Sequence, residues 1–116
     1  MNRKLDIHVG GDFDAMAKRV AEAWHLAEKG EVEGREHLTF VSWDALSKVM
    51  TAKRMELLRH LHRNPAVSVA ALARSLGRDY KRVHEDVESL SAAGLIERDA
   101  AGLHAEYAEI RTVIAL

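Results

Sequence analysis

The chain has 116 residues, 47% of them apolar and 30% charged, which excludes a disordered polypeptide and fits one compact domain with a small appendage. Cysteine is absent, so disulfides and thiolate metal sites are excluded and a reducing cytoplasm is the expected setting. The formal net charge of −1 gives no whole-chain signal for nucleic acid, and no apolar run approaches the roughly 20 residues that span a bilayer.

The first residues, Met1-Asn2-Arg3-Lys4, lead into no apolar stretch, so no secretory signal is expected. Leu5, Ile7 and Val9 alternate with Asp6 and His8, the pattern of a strand with one buried face. Gly10-Gly11 breaks it. Asp12 then caps a predicted helix with Phe13, Met16, Ala17, Val20, Trp24 and Ala27 at spacings of three and four, stopped by Gly30. A polar link precedes a second short strand in which Leu38 and Phe40 share a face. Residues 1–41 therefore read as a strand-helix-strand arm, expected to serve dimerisation or partner docking.

From residue 42 the pattern turns helical. Ser42 is a candidate N-cap for residues 43–50 and Thr51 for residues 52–63, with Met55, Leu57, Leu58 and Leu61 on the inner side. Asn64-Pro65 ends that helix, because the residue before proline is pushed out of helical geometry. Ser68 caps a third helix carrying Leu72, Ala73 and Leu76. Gly77-Arg78 then makes a tight turn, and Asp79 caps a fourth helix carrying Tyr80, Val83, Val87 and Leu90 until Ala93-Gly94. Beyond Leu95 to Arg98, a turn at Asp99-Ala100-Ala101-Gly102 joins strand-like sequence from Leu103 to Leu116, a hairpin signal. The C-terminal run from Ile110 needs a strand partner, either from the arm or from another subunit.

Charge follows the same division. Residues 1–40 hold 6 Lys and Arg against 8 Asp and Glu, residues 41–94 hold 9 against 6, and residues 95–116 hold 2 against 4. The middle segment is a basic island between acidic flanks.

These residues, from Leu46 to Glu97, resemble winged helix-turn-helix transcriptional regulators related to the MarR and ArsR families. The features that carry the likeness are Thr51-Ala52-Lys53-Arg54, Leu57-Leu58, Ser68 to Ala73, Leu76-Gly77-Arg78-Asp79, Val83 to Val87 and the ending Leu90 to Glu97. The likeness is greatest to small DNA-binding proteins encoded as the antitoxin partner in toxin–antitoxin pairs. It implies an α+β fold, a winged helix-turn-helix over 42–116 with the N-terminal strand-helix-strand extension, and a homodimer that binds double-stranded DNA, with a cognate toxin as a further partner.

In such a fold the N-terminal half of the second helix of the pair enters the major groove. Lys81 and Arg82 suit guanine O6 and N7, the arginine in bidentate fashion, and His84 can donate to base or phosphate. Glu85 and Glu88 complete the outward set. Ser68 offers donors at a helix start, while Arg74, Arg78, and Lys53 or Arg54 are expected on the phosphate backbone. Tyr80 either stacks on DNA or packs into the core, and its spacing to Val83 and Val87 favours the core. The turn of the hairpin holds no Lys or Arg, so insertion of this hairpin into the minor groove is not expected; Arg98, which flanks the turn with His104, is its candidate DNA contact.

Seven histidines raise a metal site, but His60 and His62 point to different faces of their helix and His84-Glu85 lacks the second histidine of a zinc-protease motif. Gly10-Gly11 lacks a phosphate-loop pattern, and no nucleophile, base and acid fall at a spacing that signals catalysis. The expectation is a binding protein and not an enzyme, without cofactor, metal or membrane. The alternative is a protein-interaction module that uses the same scaffold with little or no DNA contact.

Overall fold

A computed structural model of the chain describes residues 3–11, 17–18, 21–22 and 35–116. The described elements are β1 (Arg3–Val9), β2 (Glu36–Phe40), α1 (Trp43–Val49), α2 (Ala52–Arg63), α3 (Val69–Leu76), α4 (Tyr80–Ala92), β3 (Glu97–Asp99), β4 (Gly102–His104) and β5 (Tyr107–Ile114). The fold is α+β, with a parallel sheet built from the terminal strands and four described helices leading to a hairpin. Two compact units divide it: Met1–Leu46 with Ala108–Leu116, and Ser47–Tyr107.

The first unit is a three-stranded sheet in the order β2-β1-β5. β1 and β2 run parallel, with Ile7 beside Leu38 and Val9 beside Phe40. A parallel pair needs a crossover between its strands. The predicted helix over 12–29 lies outside the described residues except for 17–18 and 21–22, which are helical. Arg111 meets Asp6 and Ala115 N–H donates to Val9 O at 3.0 Å, so β5 also runs in the direction of β1.

The alternating pattern of β1 predicts one buried face, but Asp6 and His8 are buried along with Leu5, Ile7 and Val9. The reason is that β1 is the middle strand. Asp6 accepts from Arg35 Nε at 2.6 Å and from Arg111 at 3.0 Å, and Arg35 also reaches Glu109 at 3.0 Å. His8 Nε2 lies 2.8 Å from His37 Nδ1, the two rings stacked with centroids 5.0 Å apart. The Arg111 guanidinium hydrogen bond, opposed by burial and aided by Arg35, holds the Asp6 carboxyl at about 2.

In the second unit each helix begins on the cap its sequence predicts. Thr51, Ser68 and Asp79 accept from the N–H groups of Arg54, Ala71 and Arg82. Leu57, Leu61, Leu72, Val83, Val87 and Leu90 are fully buried. Each such aliphatic side chain contributes roughly 1.5–3 kcal/mol relative to exposure. α3 ends in a Schellman closure: Gly77 takes φ +64°, Gly77 N–H donates to Arg74 O, and Arg78 N–H donates to Ala73 O. α4 ends the same way at Gly94, whose N–H donates to Ser91 O while Leu95 N–H donates to Leu90 O.

β3 and β4 form a short antiparallel hairpin, Glu97 beside His104 and Asp99 beside Gly102. Ala66, in the link after α2, adds an antiparallel bridge to Leu103, with hydrogen bonds of 3.2 and 2.7 Å in the two directions. That bridge explains Gly102. A Cβ there would lie 2.1 Å from Ala66 O, and the residue's φ is +126°.

The strand-like run from Leu103 to Leu116 is not one strand. β4 stops at His104, His62 Nδ1 donates to Ala105 O at 2.6 Å, and the chain enters β5 in the other sheet. The last strand thus belongs with the N-terminal unit rather than with the expected 42–116 unit, and the partner that Ile110 onward requires is β1 of the arm.

Candidate nucleic-acid interface

The pair α3 and α4 is held by its inner stripes. Leu72 and Ala73 on α3 are buried, as are Val83, Val87 and Leu90 on α4, so the positions between them on α4 face out. Lys81, Arg82, Glu85 and Glu88 are exposed and His84 is half-buried, which is the outward set the spacing predicts.

Asp86 is the residue that spacing alone overlooked. It falls three residues after Val83 and four before Leu90, which places a carboxylate on the core stripe. Its two oxygens take different arginines: Arg54 Nε at 3.0 Å and Arg78 Nη2 at 2.8 Å. Arg54 also donates to Lys48 O and Val49 O at 3.0 and 3.2 Å, satisfying carbonyls at the end of α1. All three side chains are mostly buried. Arg54 and Arg78, expected on the DNA backbone, are instead turned inward as the tie between α2, the turn and α4. A charge on an apolar stripe was the available signal, since a buried carboxylate requires cationic or hydrogen-bonding partners.

Tyr80 is the second departure. It is 53% exposed rather than in the core, with its ring 5.9 Å from that of His84 and tilted by 34°. The buried stripe of α4 begins one turn later, at Val83, and Tyr80 directly follows the Asp79 cap.

Tyr80, Lys81, Arg82 and His84 therefore share the exposed start of α4. Among the described residues, neither Lys81 nor Arg82 has an ion pair. The first turn of α4 holds no acidic side chain, and both cations stand at the positive end of the helix dipole, offset only by the Asp79 cap. Further along, Glu88 binds Arg98 of β3 and lies 3.6 Å from His84 Nε2. Arg98 is thereby drawn to α4. Arg74 is exposed on α3, and Ser68 is exposed with its hydroxyl oxygen accepting from Ala71 N–H at 3.1 Å.

The tip of the hairpin is internally satisfied. Asp99 accepts from Ala101 N–H at 2.8 Å and from His104 Nε2 at 3.1 Å, and these bonds, that of Ala101 foremost, lower its pKa. Ala100 and Ala101 at the tip bring no cation. Among the described residues no three His, Asp or Glu side chains converge as a metal site, and no helix is long and apolar enough to cross a membrane.

The class is that of a small α+β protein whose helical core is followed by a β-hairpin, an order consistent with a winged helix. The chain belongs to the HVO_A0114 family, which matches residues 49–112 and so covers α2 to α4, the hairpin and most of β5. No curated protein and no solved structure matches the chain.

Proposed function

We propose that this protein is a winged helix-turn-helix regulator of transcription that binds double-stranded DNA in sequence-specific fashion as a homodimer, with α4 in the major groove. The observation that carries this reading is the placement of Lys81 and Arg82. Two unpaired cations at the positive end of a helix oppose the helix dipole, an unfavourable arrangement that an incoming phosphate or guanine edge relieves. Arg54, Arg78 and Arg98 do not share that condition, because each already has a carboxylate partner. In this reading Arg82 and Lys81 address base edges, Tyr80 and His84 flank them, and Arg74 and the start of α3 at Ser68 hold the phosphate backbone. Arg78 positions α4 and does not touch DNA. The protein acts by binding, without catalysis, cofactor or metal. The role of autoregulating antitoxin, with a cognate toxin as partner, rests on the family likeness of the sequence.

The test is a gel-shift titration against the protein's own promoter and against random DNA at physiological salt. Tighter binding to the promoter is expected. Equal binding to both removes the regulator reading and favours the protein-interaction module, to which the cation-free hairpin tip is suited. Arg82→Ala should cost roughly 1–3 kcal/mol per half-site on the promoter and relax base choice at one position in each half-site. Arg74→Ala should weaken all sequences alike.

A further inference from the structure

β5 is the rim of the three-stranded sheet, and no described strand pairs with its outer side. The bond from Ala115 N–H to Val9 O fixes which backbone groups face inward. Because these groups alternate along a strand, the odd-numbered residues from Tyr107 to Ala115 address β1. The N–H and C=O of Ala108, Ile110, Thr112 and Ile114 are then directed outward. The sequence YAEIRTVI contains no Pro, Gly or Lys to keep this exposed edge from pairing, and its two charged residues, Glu109 and Arg111, are of opposite sign. Val113 and Ile114 are about half exposed on it.

We propose that this edge pairs with the same edge of a second copy, antiparallel about a two-fold axis through Ile110, to make one continuous six-stranded sheet. Pairing of a strand with its own copy sets one residue opposite itself. An axis through Glu109 or Arg111 would oppose like charges. An axis through Ile110 sets Glu109 opposite Arg111 of the partner subunit, and does so twice. It also sets Tyr107 opposite Val113 of the partner subunit, an aromatic and β-branched pair of the kind that stabilises antiparallel strands. Ile110 is outward-directed in its backbone, so the central pair exchanges both hydrogen bonds, as do Ala108 and Thr112 on either side. Glu109 and Arg111 already bind Arg35 and Asp6, yet their side chains remain 47% and 58% exposed. Each is thus held in place with surface to spare for the opposite charge.

This rests on the homodimer of the proposed function and not on its DNA contacts, so the two fail separately. The experiment is light scattering and sedimentation of the full chain at micromolar concentration, with Arg82→Ala as a variant that should bind the promoter more weakly and stay dimeric. Thr112→Pro removes an outward N–H without touching the bonds to β1. It should raise the dimer dissociation constant at least tenfold with an unchanged circular dichroism spectrum. A monomeric wild type, or a folded Thr112→Pro that remains a dimer, overturns the proposal. Should Thr112→Pro not fold, single cysteines decide, since the chain has none of its own. Opposed residues of a hydrogen-bonded pair have Cα atoms about 5.5 Å apart, within disulfide range. Ile110→Cys should therefore oxidise to a covalent dimer and Thr112→Cys should not. The reverse result, or no cross-linking by either, overturns the pairing about Ile110.

Discussion

Arg78 and Arg82 are four residues apart and face opposite tasks. Arg78 closes on Asp86 together with Arg54, whereas Arg82 has no ion pair among the described residues. Asp86→Ala would leave two mostly buried guanidinium groups without their carboxylate. Removal of one partner of a buried ion pair costs roughly 3–5 kcal/mol. Urea denaturation should show a loss toward the lower end of that range, since the arginines retain some solvent. Asp6 supplies the pH-dependent counterpart in the sheet. Its carboxyl is held at about 2, below the roughly 3.9 of an unfolded aspartate. Its contribution is therefore complete above about pH 4 and is lost as the pH falls toward 2. Asp6→Asn should destabilise the protein by about 2 kcal/mol at neutral pH, the scale of hydrogen bonds to a charged group. Its stability should also fall less steeply than that of the wild type between pH 4 and pH 2, measured by denaturant titration at each pH.

Elements in the helical unit are local in origin. Thr51, Ser68 and Asp79 cap, Gly77 and Gly94 stop, and the apolar stripes select the inner faces, so α2, α3 and α4 can be placed from the chain itself. The hairpin is local only in its turn. Its position depends on Ala66, 36 residues before Gly102, whose carbonyl leaves no room for a side chain at that glycine. Gly102→Ala should break the bridge between Ala66 and Leu103 and cost more than about 1 kcal/mol, because the substitution is both crowded and at a positive φ. Thermal unfolding checks it, and an unchanged melting temperature would contradict the packing of the hairpin on that link. The extended run after Leu103 shows the limit of pattern reading for such elements. Alternation predicts strand, and strand is found, but not which sheet receives it.

At the scale of the molecule, the net charge of −1 conceals exposed cations at the start of α4, Lys81 and Arg82, and on α3, Arg74. Each phosphate that a protein neutralises releases counterions, so the logarithm of affinity falls linearly with the logarithm of salt concentration. The slope reports the number of phosphates held, and a plot for the promoter should follow that line. Arg74→Ala removes one phosphate contact from each subunit of the dimer and should reduce its slope by about 2, whereas Arg78→Ala should leave the slope unchanged and lower stability instead. A changed slope for Arg78→Ala would return that residue to the DNA surface. The helices, their caps, the glycine stops, the hairpin turn and the exposed cations of α4 are all legible in the chain alone, because each depends on residues within a turn or two of one another. Three outcomes needed the folded arrangement: Asp86 withdraws Arg54 and Arg78, Tyr80 stands in solvent, and β5 crosses to lie beside β1. They depend on which distant side chain or strand edge satisfies a buried charge or an open backbone ladder, and spacing along the chain carries no record of that choice.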